Sequence, residues 1–379
     1  IFGTSSDSIN LAEDREAFTD LVNKLKITIP NYCIAKNYDE IVAYSEKAEF
    51  PVLVRPSYVL GGRAMQIVYS KKELVDYVFR SAEATSNHPI LIDQFIENAF
   101  EFDVDALCDG KDVFIAGIMQ HIEQAGIHSG DSSCVLPAHK ISNKVKKEII
   151  DVTTKLAKTL NVVGLINLQF AVKDEIVYVL EVNPRSSRTV PFVSKYSNIP
   201  LANIAAQLSV GNKLKDFGLK NIRHKHIAVK KAVLPFKKFK DEKVFLGPEM
   251  KSTGEVMGIN DKVGVAFLKA MQSDGYKVPK EGTAFISVNK ADRREALYAA
   301  RDLIKIGFDI IATEGTAKYL SRNSVPCEQI FKVGEGRPNV VDEILNDKIQ
   351  FVINTPMGAS ARYDEEAIGK TCLLVKKLK

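Results

Sequence analysis

The segment from residue 165 to residue 183 constrains the fold most strongly. Polar residues stand two positions apart in "LINLQFAV" and again in "VYVLEVN", and a turn is expected near residues 173 to 175. This two-residue period predicts a β-hairpin with chemically different faces. Gln169 is expected opposite Glu181, at most a diagonal pair away, with Asn183 on the same face. Three oxygen-bearing side chains would then lie close together.

These oxygen donors favour a hard cation. Carboxylate and amide oxygens suit Mg²⁺, which takes further ligands from water and nucleotide phosphates. Arg185 and Arg188 follow the hairpin, and guanidinium groups suit phosphate oxygens. A solvated strand end with surface salt bridges is the simpler explanation for Glu181 and Asn183 alone. The addition of Gln169 and two arginines favours a metal and phosphate site.

A second candidate for anion binding lies upstream, in "VRPSYVLGGRAM". Arg55 follows an apolar strand, and Arg63 adds a second positive charge. Gly61 and Gly62 would let backbone N–H groups approach a ligand closely. A Gly-Gly pair between strands also fits an ordinary hairpin turn, and only the flanking arginines favour ligand binding. The sequence contains neither a Walker loop nor a Gly-x-Gly-x-x-Gly motif.

Composition excludes several classes of protein. The 379 residues are 45% apolar and 26% charged, as in soluble globular proteins with two or three domains. A net charge of +5, spread over 52 basic and 47 acidic residues, gives no basic field for nucleic acid. The basic stretch from 223 to 240 is interpreted mainly as an amphipathic strand with a solvated face.

The cysteines and the apolar runs indicate a cytoplasmic protein. Five cysteines are scattered without a Cys-x-x-Cys pair, which is typical of reduced thiols in packing roles: Cys33, Cys108, Cys134, Cys327 and Cys372. No apolar run approaches the ~18 residues that span a bilayer, and no signal-peptide pattern occurs. The chain begins without Met, at what resembles the end of a strand, so we expect it to be part of a longer protein.

The order of expected elements predicts three regions. Residues 1–211 mix helices with antiparallel strands, as in an α+β unit. Residues 212–255 are rich in lysine and are expected to form a connector with one or two strands. From residue 256 to 379, strands and helices alternate, which predicts a parallel sheet with crossover helices.

Five segments together resemble one family: "PVLVRPSYVLGGRAMQIVY", "HIEQAGIHSGDSSCVLP", "NLQFAV", "EVNPRSSRTVPFVSK" and "LGPEMKSTGEVMG". They resemble the C-terminal half of the large subunit of carbamoyl phosphate synthetase, from residue 1 to about 370. The resemblance implies an α+β ATP-grasp synthetase unit over 1–211. It also implies an α/β doubly wound, methylglyoxal-synthase-like allosteric domain over 256–379, incomplete at its C-terminus.

The same resemblance implies an activity. The family phosphorylates carbamate to carbamoyl phosphate with ATP and Mg²⁺ or Mn²⁺, for arginine and pyrimidine biosynthesis. The implied partners are the N-terminal half of the large subunit, a glutaminase small subunit, and a nucleotide effector at the C-terminal domain. Neither nucleic acid nor a membrane is implied. Full synthesis from glutamine is not expected of this piece alone.

Roles for individual residues follow from the resemblance. It makes Gln169, Glu181 and Asn183 metal ligands, and it makes Arg55, Arg185 and Arg188 catalytic, against the phosphates and the acceptor. In the nucleotide site, Gln94 and Ile96 would meet the adenine and Glu101 the ribose. Its complete nucleotide-binding set is Arg55, Gly61, Gly62, Gln94, Ile96, Glu101, Gly126, Ile127, His128, Ser129, Gln169 and Glu181. By composition alone, His128 would be an ordinary core histidine.

A phosphate site is also predicted in the second domain. Thr313, Gly315 and Thr316 stand where a strand ends and a helix begins, which suits phosphate and equally suits a simple N-cap. The resemblance adds Arg293, Lys332 and Asn354 as effector contacts.

Two positions depart from the family. Pro356 replaces a Thr that many relatives carry. Lys231 replaces the Glu of ornithine-responsive relatives, which argues against ornithine activation, because a lysine cannot replace a carboxylate that binds a cation.

Two alternatives stay open beside this activity. One is another ATP-grasp carboxylate ligase, against which the region after residue 256 argues. The other is a non-catalytic nucleotide-sensing module, against which the presence of Glu181 and Arg185 argues.

Overall fold

The computed structural model describes residues 2–56, 65–82, 89–220, 224–237, 246–355 and 359–374. These residues form two compact units. The first contains the described residues up to Leu234 and Leu246–Asp274, and the second contains residues 235–237 and the described residues of Gly275–Lys379. The expected domain limits at 211 and 255 stay a prediction. The compact units differ from those limits, because the strands of the expected connector and residues 256–274 belong to the first unit.

The first unit begins with two short helices and a small antiparallel sheet. The helices are α1 (Ser6–Glu13) and α2 (Arg15–Lys24). The sheet has the order β1-β4-β2-β3, and its strands are β1 (Tyr32–Ala35), β2 (Val52–Pro56), β3 (Gln66–Val68) and β4 (Ile90–Gln94). Helices α3 (Tyr38–Ser45) and α4 (Lys71–Ala82) pack on it through Ile41 and Leu74.

A second, antiparallel sheet of seven strands follows, in the order β11-β10-β7-β6-β5-β8-β9. Its strands are β5 (Phe100–Asp109), β6 (Val113–His121), β7 (Cys134–Leu136), β8 (Val163–Lys173), β9 (Ile176–Asn183), β10 (Ile227–Val233) and β11 (Gly254–Asn260). The helices beside it are α5 (Asn143–Thr159), α6 (Val190–Ser197), α7 (Leu201–Ser209) and α8 (Val263–Ser273). A short 3₁₀ helix spans Leu214–Phe217.

The apolar pattern of α5 explains one face of this sheet. Val145, Ile149 and Leu156 recur at helical spacing and pack against Phe102 and Phe170 of the sheet. On the other face, α6 and α7 cover the end of the strands where Leu107 and Leu165 lie. The opposite end of that face is polar.

The predicted hairpin is confirmed. Strands β8 and β9 pair antiparallel from Asn167 with Asn183 to Lys173 with Ile176. Asp174 and Glu175 connect them with φ values of 51° and 62°, which is the left-handed backbone of a two-residue turn.

The solvated face expected for residues 223–240 is wrong for β10. This strand lies between β7 and β11, and Lys230 is 1% exposed. The charge of Lys230 can be buried because carboxylates lie near it and the Ser129 carbonyl accepts its hydrogen bond.

The second unit has a parallel sheet covered on both faces, as expected. The order is β14-β13-β12-β15, and the strands are β12 (Gly282–Val288), β13 (Phe308–Thr313), β14 (Glu328–Ile330) and β15 (Phe351–Thr355). Helices α9 (Arg293–Lys305) and α10 (Glu314–Arg322) pack against Ile286 and its neighbours. Helices α11 (Val340–Leu345) and α12 (Ala359–Leu374) pack against Phe285 on the other face. Residues 235–237 form a 3₁₀ turn.

The cysteines have packing roles, as expected. No disulfide joins the five cysteines, and three of them, Cys108, Cys134 and Cys372, are buried. Within the described ranges, none of the helices combines the length and the apolar character needed to cross a membrane.

Candidate functional site

Polar side chains from three adjacent strands share one face of the seven-stranded sheet. Gln169 pairs directly with Glu181, and Asn167 pairs with Asn183. On the other side of β8, Asp103 of β5 pairs with Gln169, and Asp105 pairs with Asn167. Cross-strand partners point to the same side of a sheet. We call the surface formed by Asp103, Asp105, Asn167, Gln169, Glu181 and Asn183 the polar face.

The polar face is open on one side and closed on the other. Glu181 is exposed and Gln169 is half-buried, whereas Asp103 and Asp105 are 1% and 0% exposed. The structure therefore brings the three predicted oxygen donors onto one face, of which Glu181 and Gln169 reach the accessible edge. Asn183 is buried, and its Oδ1 accepts a hydrogen bond from Arg185 Nη2 at 2.8 Å.

A loop after β6, residues 126–131, lies against the polar face. Gly126 N donates to Glu101 Oε1 at 2.9 Å, and Gln169 Nε2 donates to Ser129 Oγ at 3.0 Å. The predicted nucleotide residues Glu101, Gly126 and Ser129 are thus connected to the predicted metal ligand Gln169. Burial lowers the pKa of His128 in this loop, although the nearby carboxylates oppose the shift.

Gly126 is required by its surroundings. Its φ of +90° favours glycine, and an added Cβ would lie 2.6 Å from the ring of Phe95 and 2.9 Å from Ile67. Phe95 follows Gln94, the last residue of β4, and Ile67 belongs to β3. The loop therefore packs so close to the small sheet that no side chain larger than hydrogen fits at Gly126.

Residues later in the chain than the hairpin, Lys230, Lys251 and Ser252, bind the 126–131 loop. Lys230 Nζ of β10 donates to the Ser129 carbonyl at 3.1 Å. The buried carboxylate of Asp131 accepts hydrogen bonds at 2.8 Å from the backbone N–H groups of Lys251 and Ser252. These contacts fix the loop in the position that it needs to reach Gln169.

A buried set of opposite charges underlies the loop. His121 Nε2 lies 2.9 Å from Asp103 Oδ2, and its Nδ1 lies 3.3 Å from Glu101 Oε2. Burial alone would lower the pKa of His121, but Cys134 and hydrogen bonds to these carboxylates raise it well above its ordinary value. Burial also opposes the charge of Lys230, yet Cys134 and nearby carboxylates raise its pKa. His121 and Lys230 thus both favour the positively charged form, which offsets the negative charge of the buried Asp103.

Asp103, Asp105, His121 and Lys230 were missed by sequence reasoning. A signal for the two aspartates existed: "EFDVDA" places an acid at every second position of β5, hence on one face. Nothing comparable marks His121 or Lys230, because their partners are distant in sequence.

Arg55 and the adenine residues lie in the small sheet. Arg55 Nε is 3.6 Å from Asp93 Oδ2, and Arg15 binds the other oxygen of this carboxylate. No hydrogen bond or ion pair joins Arg55 to the polar face among the described residues. Gln94 N donates to Asn31 O at 2.7 Å, and Ile96 is half-buried in the following segment. Gly61 and Gly62 lie outside the described residues.

The second unit has its own cavity, of about 200 Å³. It is lined by all six predicted effector contacts: Arg293, Thr313, Gly315, Thr316, Lys332 and Asn354. Within the described part of the chain, Arg293 Nε and Asn354 Nδ2 are buried there without a hydrogen-bond partner. Such donors favour an anionic ligand that would accept their hydrogen bonds.

The N-cap position expected for Thr313 is confirmed, but without a capping side chain. Thr313 occupies the N-cap position of α10, but its side chain makes no capping hydrogen bond and instead lies 3.0 Å from Ser287 Oγ. Gly315 allows close packing, because an added Cβ would lie 2.9 Å from Arg293 Nη2. Pro356 lies outside the described residues.

Comparison with protein families shows to which family this chain belongs. Residues 14–217, which contain the polar face and the 126–131 loop, match the family described as carbamoyl-phosphate synthase L chain, ATP binding domain. The chain belongs to this family. Residues 295–376, which lie in the second unit, match the MGS-like domain.

Curated relatives support the assignment to the carbamoyl-phosphate synthase L chain family. The carbamoyl phosphate synthase large chain of Archaeoglobus fulgidus is 53% identical, over 96% of this chain and 34% of that protein. The large chain of Acidobacterium capsulatum is 52% identical, over 99% of this chain and 35% of that protein. The chain therefore spans about a third of the length of these relatives.

Solved structures show the fold of the ATP-binding domain. The biotin carboxylase domain of Hydrogenobacter thermophilus 2-oxoglutarate carboxylase has a TM-score of 0.53 at 17% identity, covering 62% of this chain and 54% of that chain. A purK N5-carboxyaminoimidazole ribonucleotide synthetase has a TM-score of 0.51 at 16% identity, covering 70% and 71%. The ATP-grasp fold expected from the sequence is confirmed.

Proposed function

We propose that this chain carries the carbamate-phosphorylating site of a carbamoyl phosphate synthase large chain. The reaction transfers the γ-phosphoryl group of ATP to carbamate and yields carbamoyl phosphate and ADP. The observation that carries the proposal is the direct pairing of Gln169 with Glu181 beside Asn183 and Arg185. Relatives of the same name, about half identical, support it.

The residues of the polar face fit a divalent ion. Glu181 offers an exposed carboxylate, and Gln169 binds Ser129 through its nitrogen, which leaves its oxygen to ligate a cation. Asn183 adds a third oxygen. We assign these three residues as ligands of Mg²⁺ or Mn²⁺. The ion would bridge phosphate oxygens and neutralise charge there.

The arginines would act on the transferred group. Asn183 holds Arg185 by a 2.8 Å hydrogen bond, and Arg188 follows in the same exposed loop. Guanidinium groups placed there stabilise negative charge that develops on the phosphoryl oxygens. Arg55, held by Asp93, would contact the phosphates from the small sheet. A carbamate oxygen attacks phosphorus while the bond to ADP breaks, so no covalent enzyme intermediate is needed.

The nucleotide would lie beside the contact between the 126–131 loop and the small sheet. Gln94 and Ile96 would meet the adenine, and Glu101 the ribose hydroxyls. Each Glu101 oxygen already has one protein neighbour, Gly126 N or His121, and retains a second lone pair for a hydroxyl. Ile127, His128, Ser129, Gly61 and Gly62 complete the nucleotide contacts in this proposal.

The proposed activity requires partners. Carbamate must come from another site, which we place in the N-terminal half of the large subunit, supplied with ammonia by a glutaminase small subunit. Exclusion of water is important, because carbamate decomposes and the acyl phosphate hydrolyses. We place the protein in the cytoplasm, serving arginine and pyrimidine biosynthesis.

ATP synthesis from ADP and carbamoyl phosphate tests the activity. The protein, as its gene encodes it, should form ATP with Mg²⁺ present, and Glu181→Gln should lower the rate about 100-fold or more. Glu175→Gln is the matched control, because Glu175 lies at the hairpin turn and pairs with Lys144. Its rate should stay within about twofold. Absence of ATP formation by the wild type, or equal effects of both variants, would contradict the activity.

The cavity of the second unit supports a second role, binding of a nucleotide effector. Its two buried donors without partners, Arg293 Nε and Asn354 Nδ2, favour a phosphate group. Arg293→Gln should weaken binding of a uridine or purine nucleoside monophosphate about tenfold or more. Arg301→Gln, in the same helix but outside the cavity, is the control. Equal affinity in both variants would contradict an effector site there.

A further inference from the structure

The proposed reaction gives no task to the buried carboxyl group of Asp105. Asp105 is 0% exposed and accepts three hydrogen bonds. Asn167 Nδ2 donates to Oδ1 at 3.0 Å, Ser187 Oγ donates to Oδ1 at 2.8 Å, and Thr189 Oγ1 donates to Oδ2 at 2.6 Å. Both carboxylate oxygens are therefore engaged, and two of the three donors come from the loop after β9.

This loop, residues 184–189, connects the polar face to α6. At its start, Arg185 N donates to the Asn183 carbonyl at 2.7 Å, and the Arg185 side chain returns to the Asn183 amide. At its end, Thr189 is the N-cap of α6, and it lies 2.8 Å from Ser187 Oγ. Ser187 separates Arg185 from Arg188. Ser187 and Thr189 thus tie the second half of the loop to Asp105 of β5.

Stability alone does not explain a carboxylate at this position. Burial, together with the smaller effect of the neighbouring Asp103, raises the pKa of Asp105 to about 6 against the opposing effect of its three hydrogen bonds. A buried carboxylate destabilises a fold unless its partners compensate fully. A charged acceptor does, however, hold hydroxyl donors more firmly and at shorter distances than a neutral one.

We propose that Asp105 is a positioning residue that fixes the 184–189 loop and thereby aims Arg185 at the transferred phosphoryl group. This inference rests on the proposed function for the identity of the group, whereas the anchoring of the loop does not depend on it. Asp105 does not itself meet the substrate, because it is buried beneath the loop. Its effect on the reaction passes through Arg185.

The test is a double-mutant cycle between Asp105 and Arg185, measured on ATP formation from ADP and carbamoyl phosphate. Asp105→Asn keeps the shape of the side chain but removes one acceptor and the charge. Displacement of catalytic groups by about 1 Å costs on the order of 100-fold in rate. We therefore expect kcat to fall about 10- to 100-fold, while KM for ADP changes by less than about threefold.

Coupling distinguishes positioning from a general loss of structure. If Asp105 acts through Arg185, Asp105→Asn should lower kcat by less than about threefold in an Arg185→Ala background. Ser187→Ala should lower kcat in the same manner, and Ser187→Thr, which retains the hydroxyl, should restore it. Ser197→Ala is the control, because Ser197 is a buried serine of α6 that donates to Val193 O and does not contact the loop.

Amide hydrogen exchange of residues 184–189 gives a readout that does not depend on activity. Exchange should be faster in Asp105→Asn and Ser187→Ala than in the wild type and in Ser197→Ala. The proposal is overturned if Asp105→Asn lowers kcat by the same factor in the wild type and in Arg185→Ala. It is also overturned if amide exchange in this loop does not change. Absence of ATP formation by the wild type would instead overturn the proposed function, and the exchange measurement would still decide the role of Asp105. Should Asp105→Asn not fold, Ser187→Ala and its Thr rescue carry the same decision.

Discussion

Gln169 and Glu181 face each other directly across strands β8 and β9, and a β-bulge follows Gln169 immediately. A bulge bends its strand and changes the direction of neighbouring side chains, and it occurs often beside functional sites. The Gln169 amide is further fixed by Ser129. The central pair of the proposed metal site is thus held by the sheet on one side and by the 126–131 loop on the other.

Gly126→Ala should destabilise the first unit and weaken nucleotide binding. An alanine there would have to adopt a φ of +90° and place its Cβ 2.6 Å from the Phe95 ring. The matched control is Gly110→Ala, since Gly110 has a φ of +85° but only Val163 nearby, at 3.8 Å. Both variants carry the backbone cost of about 1–2 kcal/mol. Gly126→Ala should lose about 1–3 kcal/mol more in urea unfolding, owing to the clash. Equal losses would contradict the close approach of the loop to Phe95.

Lys230→Met should be strongly destabilising, although methionine has a similar length. The variant removes one of the two cations that lie near the buried acids, which leaves His121 alone beside Asp103, and it removes the hydrogen bond to the Ser129 carbonyl. Removal of one partner from a buried charge pair costs about 3–5 kcal/mol. Lys269→Met is the control, because Lys269 is exposed and binds only the Ile259 carbonyl, and it should change the free energy of unfolding by about 0.5 kcal/mol or less. A similar small loss in both variants would show that the charge of Lys230 is not needed.

The pH dependence of stability should differ between the wild type and Asp105→Asn. Burial raises the pKa of Asp105 from 3.8 to about 6, so between these values the folded protein holds a proton that the unfolded chain releases. The contribution of this carboxyl to folding is therefore complete below about pH 4 and is lost as the pH rises through about 6. Two pKa units correspond to about 3 kcal/mol.

The measurement is the difference in free energy of unfolding between the two proteins. Because the other groups, apart from the neighbouring Asp103, keep their surroundings in both proteins, the difference reports mainly on Asp105. It should move in favour of the Asn variant by about 3 kcal/mol between about pH 4 and pH 7. A difference independent of pH would contradict the raised pKa.

Local patterns predicted the parts of the site that lie within one hairpin. The two-residue period of 165–183 predicted both the hairpin and the shared face of Gln169, Glu181 and Asn183, because these contacts are local in sequence. The parallel sheet of the second unit was equally legible from its alternation of strands and helices. Strand period and turn chemistry are properties of short segments, so a single sequence shows them.

Contacts between distant segments could not be predicted in this way. Lys230 alternates with apolar residues as a solvated lysine would, and its burial depends on Ser129 and Asp103, more than a hundred residues earlier. The strand β11 similarly belongs to the first unit because it pairs with β10, whereas its sequence resembles the start of the next region. The functional roles of the site residues stay predictions.

The central claim is that the polar face holds a divalent ion that binds triphosphate. The most direct measurement is the affinity for a non-hydrolysable ATP analogue, with and without Mg²⁺, in the wild type and in Glu181→Gln. We predict that Mg²⁺ tightens binding about tenfold or more in the wild type and leaves the affinity of Glu181→Gln nearly unchanged. Full Mg²⁺ dependence in Glu181→Gln would contradict the claim.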